Sequence, residues 1–309
     1  MAEDSYDLII AGGGPAGLSA GIYAKRAALN TVLIEKSVVG GQVAITKGVE
    51  NYPGFIEIEG FDLCNKFLEH AKSYDLEIVN KKIEAIEPDI EHHRVRLADG
   101  TLLKANAVII ATGGTARKLE VEGEEENFGK GVSYCATCDG FFFRGKTVAV
   151  VGGGDTALED ALYLAKITSK VYLIHRRDEF RGSRILQQRV FADPNIEIIF
   201  DTVVRSIDSD DDGVKGLSLE NVKKGKLSAL EVEGVFIFVG FSPNNGLVPA
   251  GIKKNRTGYV ITDEKCETAI PGIFAIGDIR QKYANQIVLA AADGCTAALA
   301  AAHYVETRT

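Results

Sequence analysis

"YDLIIAGGGPAGLSAGIYAKRAALNTVLIEK" (residues 6–36) reads as strand, glycine turn, helix and second strand. The segments "DLIIA" and "TVLIE" are short and apolar throughout, as parallel strands covered on both faces tend to be. Gly12, Gly14 and Gly17 form GxGxxG between the first strand and the helix, and Glu35 closes the second strand. A bare GxGxxG is weak evidence; the preceding strand, the following helix and an acid about 20 residues on make it a dinucleotide-site prediction. The first glycine permits the tight turn. The second lets a pyrophosphate approach the backbone at the positive helix N-terminus. Glu35 is placed to accept hydrogen bonds from ribose hydroxyls. The competing reading is a tight turn with no ligand.

"TVAVVGGGDTALEDALYLAKITSKVYLIHRR" (147–177) repeats the layout with Gly152, Gly154 and Ala157 as GxGxxA. Alanine in the last place still allows close helix–strand packing. The second strand ends differently: His175-Arg176-Arg177, then Arg181, stand where the first unit has Glu35. Guanidinium forks bind phosphate bidentately, whereas an acid there would repel a 2′-phosphate. The second site is therefore expected to prefer NADPH over NADH; a solvated basic strand end is the alternative. Two such sites in one chain suggest one held and one exchanging cofactor, with a flavin as the usual bridge to a further acceptor.

Just ahead of the second turn, "CATCDGFFF" (135–143) places Cys135 and Cys138 within disulfide reach. The functional reading is a redox dithiol, with Asp139 supplying the proton that a released thiolate needs. Zinc is the first competitor, but it needs four ligands; no second CxxC exists and His92-His93 is remote in sequence. Two inert core cysteines are the other. Cys64, Cys266 and Cys295 have no neighbour of their kind and read as structural or surface thiols.

Each nucleotide unit is followed by a β-rich stretch. Residues 77–112 predict a hairpin about Asp99-Gly100 and then an apolar strand; residues 196–240 carry a turn-rich "DSDDDG" and end in "VFIFVG". "GFSPNNGLVPAG" is a linker candidate. The 309 residues suit about two domains. A net charge of −8 argues against a general nucleic-acid binder. The start lacks the basic, apolar pattern of a secretory signal. The nearest approach to a membrane span, "QIVLAAADGCTAALAAAHYV" (286–305), is interrupted by Asp293-Gly294 and reads better as a packed core helix. An odd count of five cysteines is no secreted disulfide framework, so a cytoplasmic setting without a membrane is expected.

"GGGPAGLSAGIYAKRA", "GGQVAITKGVENYPGF", "ATGG", "CATCDGFFFRGKTVAVVGGGDTALEDALYLA", "HRRDEFRGS" and "GIFAIGDIR", in that order, resemble the low-molecular-weight thioredoxin reductases of bacteria and archaea. The likeness covers nearly the whole chain. It implies an α/β fold of two Rossmann-like domains, with an NADPH domain (116–245) inserted into a discontinuous FAD domain (1–115 plus 246–309). It implies that Gly12, Gly14, Pro15, Ala16, Gly17 and Glu35 hold the adenosine and pyrophosphate half of FAD. Gly41, Gln42, Asn51 and Thr112 would lie along the flavin, and Gly277 and Asp278 would reach the ribityl chain. Gly152, Gly154, Asp155, Thr156, Ala157, His175, Arg176, Arg177 and Arg181 would hold NADPH. The resemblance further implies a homodimer that reduces thioredoxin, with Cys138 nearer the flavin and Cys135 attacking the substrate. One departure is Asn285-Gln286-Ile287, where related enzymes commonly carry Arg-Gln-Ala; Gln286 and Ile287 still offer backbone N–H groups at a helix start. A reductase feeding a peroxide-reducing or other thioredoxin-like protein is the alternative, and a non-catalytic nucleotide-binding protein with a metal-bound CxxC is the reading furthest from it.

Overall fold

The computed structural model describes residues 5–46 and 48–308, leaving aside the side chain of Cys138. The chain divides into two units, Met1–Thr115 with Ser242–Thr309, and Ala116–Phe241. The second crossing between these units falls at Phe241/Ser242, within the glycine- and proline-rich segment, where the resemblance implies a boundary at 245/246.

The first unit opens with β1 (Ser5–Ala11), α1 (Pro15–Arg26) and β2 (Thr31–Glu35). Then come α2 (Gly60–Lys72), β3 (Glu77–Asn80), β4 (Ile83–Glu87), β5 (His93–Leu97) and β6 (Leu102–Ile110). These strands form a sheet in the order β3-β2-β1-β6-β5-β4. β1 lies parallel to both β2 and β6, and β5 turns back antiparallel onto β6 about the predicted Asp99-Gly100 corner. Leu8, Ile10, Leu33 and Ile109 face one apolar layer, while Ile9, Val32, Val108 and Ile110 face the other. That alternation explains why the strands read as unbroken apolar runs.

The chain crosses through β7 (Gly114–Ala116) into the second unit. This holds β8 (Val132–Ser133), α3 (Ala136–Asp139), β9 (Thr147–Gly152), α4 (Asp155–Ala165), β10 (Lys170–Ile174) and α5 (Arg184–Ala192). The strands β11 (Ile196–Ile199), β12 (Thr202–Asp210), β13 (Gly213–Asn221), β14 (Lys226–Glu231) and β15 (Gly234–Phe238) complete it. The order β11-β10-β9-β15-β8 is parallel throughout. The stretch after β10, read as one β-rich block, splits. β11 joins the parallel sheet, whereas β12, β13 and β14 make a separate antiparallel one.

Asp160 on α4 is a half-buried carboxyl, pushed up to about 7 by desolvation and, secondarily, by Glu159. The folded state therefore holds a proton that the unfolded chain has released above the ordinary carboxylate range. Stability falls as pH rises from about 4 to about 7, and the deficit is complete above that. Asp160→Asn is expected to raise the thermal midpoint more at pH 8 than at pH 4; equal gains in calorimetry at both would exclude this account.

β16 (Phe241–Pro243) brings the chain back and pairs with β7. β17 (Ile273–Ala275) then adds to β6 in parallel, and α6 (Ile287–Glu306) closes the first unit. By length and composition α6 could cross a membrane. Here its Ala297, Ala298, Ala301 and Ala302 are buried in the layer that includes α1. The Ser19 hydroxyl donates to the Ala291 carbonyl, and a Cβ on Gly294 would lie 2.3 Å from the Ala16 carbonyl oxygen. Small residues allow that approach of two helices, so one face of α6 packs into the core as the alanine-rich run suggested, while Val288, Leu289 and Leu299 are exposed.

Candidate functional site: two glycine turns and a cysteine helix

In the first turn the three glycines have three distinct physical reasons. Gly12 adopts φ +118, and a Cβ there would meet the Ala111 carbonyl oxygen at 2.4 Å. Gly17 approaches the chain so closely that a Cβ would stand 1.9 Å from the Gly12 carbonyl oxygen. Gly14 is different: a Cβ would meet nothing within 4 Å. Its backbone borders open space at the N-terminus of α1, where no side chain caps the helix. Uncapped N–H groups beside a bare backbone make a cradle for a pyrophosphate. Glu35 Oε2 accepts the Gly13 N–H at 2.7 Å, and its Oε1 accepts the Ser37 N–H at 3.0 Å. The acid thus also braces the turn it was read as serving.

Other residues assigned to the first site converge on the same unit. A Cβ on Gly41 would lie 3.5 Å from Gly14 Cα, and one on Gly277 would lie 3.0 Å from Ala16 Cβ. Asn51 Nδ2 donates to Gln286 Oε1 at 3.2 Å, and Gln286 is the N-cap of α6 with Ile287 the first helical residue. Gln42 is exposed in the short helix Gly41–Ile45. Thr112 Oγ1 donates to the Asn244 carbonyl and Asn244 Nδ2 returns a bond to the Thr112 carbonyl, both at 2.9 Å. Asp278 Oδ1 is buried with no hydrogen-bond partner among the described residues, although Lys282 Nζ lies 3.3 Å away. Its side chain is nonetheless 40% exposed, leaving the carboxylate available to a ligand. These features fit FAD: a backbone cradle for phosphate and a carboxylate for hydroxyl groups.

Asp293 organises this end and was read from sequence only as an interruption in an apolar run. Its carboxylate accepts from Arg280 Nη1 at 2.7 Å and from the Gly277 N–H at 3.0 Å, with Lys282 Nζ at 3.4 Å. Exposed pairs such as Lys81–Asp99 are screened by solvent and contribute little. Removing one member of a buried set costs about 3–5 kcal/mol. Asp293, not the surface ion pairs, therefore holds the Gly277-Asp278 corner. Cys266 lies in the same cluster, and burial pushes its thiol up to about 11.

The second turn repeats the first. Gly152 is pressed between the Phe238 carbonyl and Ala157, Gly154 borders open space, and α4 begins uncapped. Arg176, Arg177 and Arg181 are exposed, and Thr156 is exposed in the first turn of α4. The Arg181 and Gly182 N–H groups both donate to the Gly153 carbonyl, at 2.7 and 3.1 Å. Asp155 Oδ1 accepts the Ser183 N–H at 2.5 Å. These bonds draw the arginine-bearing loop to the mouth of the turn; Asp155 acts on that loop rather than standing free. Lys223 pairs with Asp178 at 2.8 Å and with Asp201 at 3.0 Å, which offsets the acid next to the arginines. His175 needs a correction. It is buried beneath Gly153, where a Cβ would lie 2.4 Å from its ring, and burial lowers its basicity. Its ring supports the turn from beneath, and its lowered basicity makes it a weaker source of positive charge than the exposed arginines.

Cys135 is disulfide-bonded, and Cys64, Cys266 and Cys295 are free thiols. Cys138 lies on α3, and its side chain falls outside the described residues. Asp139 closes α3, and its N–H donates to the Cys135 carbonyl at 3.2 Å. Ser133, absent from the sequence prediction, joins the two: its hydroxyl lies 2.6 Å from Asp139 Oδ2 and accepts the Cys135 N–H at 3.0 Å. Tyr134 is anchored by a 2.7 Å bond to Glu124, which also accepts the Leu119 and Glu120 N–H groups. Burial first, then this acid, pushes the Tyr134 phenol above its ordinary range. Phe141 and Phe142, next along the chain, are exposed.

Such paired nucleotide turns with a disulfide before the second define a class. Residues 6–294 match the family model of the pyridine nucleotide-disulphide oxidoreductases, and the chain belongs to that family. Within it, similar proteins are thioredoxin reductases. That of Bacillus subtilis is 44% identical over 305 residues, covering 98% of this chain and 96% of its own. That of Listeria monocytogenes is 45% identical, covering 98% and 95%. The crystal structure of Lactococcus lactis thioredoxin reductase in its FR conformation superposes with a TM-score of 0.95 at 41% identity, covering 98% and 99% of the two chains. The T. acidophilum enzyme gives 0.93 at 34% identity, covering 99% and 100%.

Proposed function

We propose that this chain is a thioredoxin reductase, with FAD and NADPH as cofactors, that reduces the disulfide of a thioredoxin or thioredoxin-like protein. The observation that carries the reading is the disulfide-bonded Cys135 directly ahead of a nucleotide turn edged by exposed arginines. The first unit is the FAD-binding one, its pyrophosphate held at Gly12, Gly14 and Gly17 and its hydroxyl groups by Glu35 and Asp278. The second holds NADPH at Gly152, Gly154 and Thr156, with Arg176, Arg177 and Arg181 on the 2′-phosphate. FAD, when bound, relays two electrons from NADPH to the disulfide.

The remaining chemistry belongs to side chains of the chain. Two-electron reduction breaks the Cys135–Cys138 bond, leaving Cys138 a thiolate and Cys135 a thiol that takes its proton from Asp139. Cys135 returns its proton to Asp139 and, as the thiolate, attacks the disulfide of the oxidised substrate, forming a mixed disulfide and releasing one substrate thiolate, which takes up that proton. Cys138 then attacks the Cys135 sulfur, re-forming the internal disulfide and freeing the second substrate thiol. A homodimer in the cytoplasm is part of the same reading; the three free cysteines support a reducing compartment.

Anaerobic titration of the purified protein with NADPH, followed by oxidised thioredoxin, tests this reading. The visible absorption of bound FAD is expected to fall on adding NADPH and return as two thiols appear on each thioredoxin. An NADPH-reduced protein that delivers no thiols would overturn it.

A further inference from the structure

Ser133 ends the short strand β8 and is 2% exposed. Its oxygen has three polar neighbours. Asp139 Oδ2 lies at 2.6 Å, the Cys135 carbonyl oxygen at 3.1 Å, and the Cys135 N–H donates to it at 3.0 Å. A hydroxyl carries one hydrogen and two lone pairs. It can satisfy only one of the two oxygen acceptors at a time while still accepting from Cys135. The 2.6 Å distance is that of an O–H donating to a carboxylate.

We propose that Ser133 is a positioning residue for Asp139: a hydroxyl rotor with two settings that follow the proton on the carboxylate. With Asp139 ionised, the Ser133 hydrogen points to Oδ2. With Asp139 protonated, the acid O–H donates to Ser133 Oγ and the serine hydrogen turns to the Cys135 carbonyl. The carboxyl group keeps a hydrogen bond in both states and so stays in one orientation. Because Ser133 also accepts from the Cys135 N–H, that orientation is referred to the backbone of the attacking cysteine.

During thiol–disulfide exchange the Cys135 proton passes to the Asp139 carboxylate, and the thiolate attacks one sulfur of a disulfide. A new S–S bond forms as the old one breaks, and the departing thiolate takes the proton back from Asp139. Atoms and electrons balance: a dithiol and a disulfide exchange oxidation states, and Ser133 only reorients. The inference rests on Asp139 as the proton carrier of the proposed function.

The test uses holoenzyme reduced to the dithiol and reoxidised in a single turnover by the small disulfide 5,5′-dithiobis(2-nitrobenzoate), so neither NADPH nor a thioredoxin is needed. Loss of NADPH-driven thioredoxin reduction is thereby read separately from loss of this step. Ser133→Ala is expected to slow reoxidation about tenfold, a fraction of the roughly 10²–10⁴ that a positioned acid–base group contributes, because Asp139 itself is retained. Ser133→Thr, which keeps the hydroxyl, should stay within about threefold of the native rate. In an Asp139→Asn background Ser133→Ala should change the rate by less than about twofold, since contacting residues that act as one are non-additive. The same loss in both backgrounds, no loss in either, or a threonine variant as slow as alanine would each overturn the rotor.

Discussion

Serine at both 135 and 138 is expected to lower NADPH-driven reduction of a thioredoxin by at least about a thousandfold, the scale of removing a covalent nucleophile. A serine hydroxyl stays protonated at neutral pH and cannot take part in disulfide exchange. The single variants separate the two roles. With Cys138→Ser the Cys135 thiolate still attacks, but nothing resolves the product, so a covalent adduct with thioredoxin should persist on a non-reducing gel. With Cys135→Ser no such adduct should form. Intact thioredoxin reduction by the double variant, in a protein that still melts cooperatively, would remove the basis of the proposed function.

The second large effect belongs to the arginines. Arg176→Ala together with Arg177→Ala is expected to raise the KM for NADPH by roughly 10–100-fold, while the parameters for NADH move little. Each charge-assisted bond to phosphate is worth about 1.5–3 kcal/mol before solvent screening, and both side chains are exposed, which sets the lower end. The preference arises because NADPH alone carries a 2′-phosphate. Steady-state kinetics with both nucleotides measure it. An unchanged NADPH/NADH ratio would show that these side chains are a solvated strand end.

What the sequence discloses and what it hides differ in range. The two glycine turns were legible because their constraint is local. Gly12 needs its positive φ, and Gly17 needs the absence of a side chain only a few residues away along the chain. The hairpin at Asp99-Gly100 and the CxxC spacing are local in the same way. His175, by contrast, looks like part of a basic run. Only the packing of Gly153 over its ring shows it to be buried. Ser133 carried no signal, since one serine in a strand becomes meaningful only when Asp139 folds back onto it. Asp293 did leave a trace, being the acid inside an alanine-rich run that otherwise has no reason to break. Its partners Gly277, Arg280 and Lys282 lie on a separate loop that no periodicity connects to it. Likewise the division of β11 from β12 between two sheets depends on partners distant in sequence, β10 and β13.

The interruption of one unit by another fixes an order of synthesis. Residues 116–241 are all made before β17 and α6, and β6, made much earlier, awaits β17 as a neighbour. The inserted unit is therefore free to mature during translation, while its host must keep an apolar strand edge waiting until the last helix arrives with Asp293. A nascent chain cut short before that residue would hold a finished inserted unit and an unfinished first unit. Stalled or truncated products of this gene should thus fail through exposed sheet edges and aggregation rather than through loss of the thiol-bearing module.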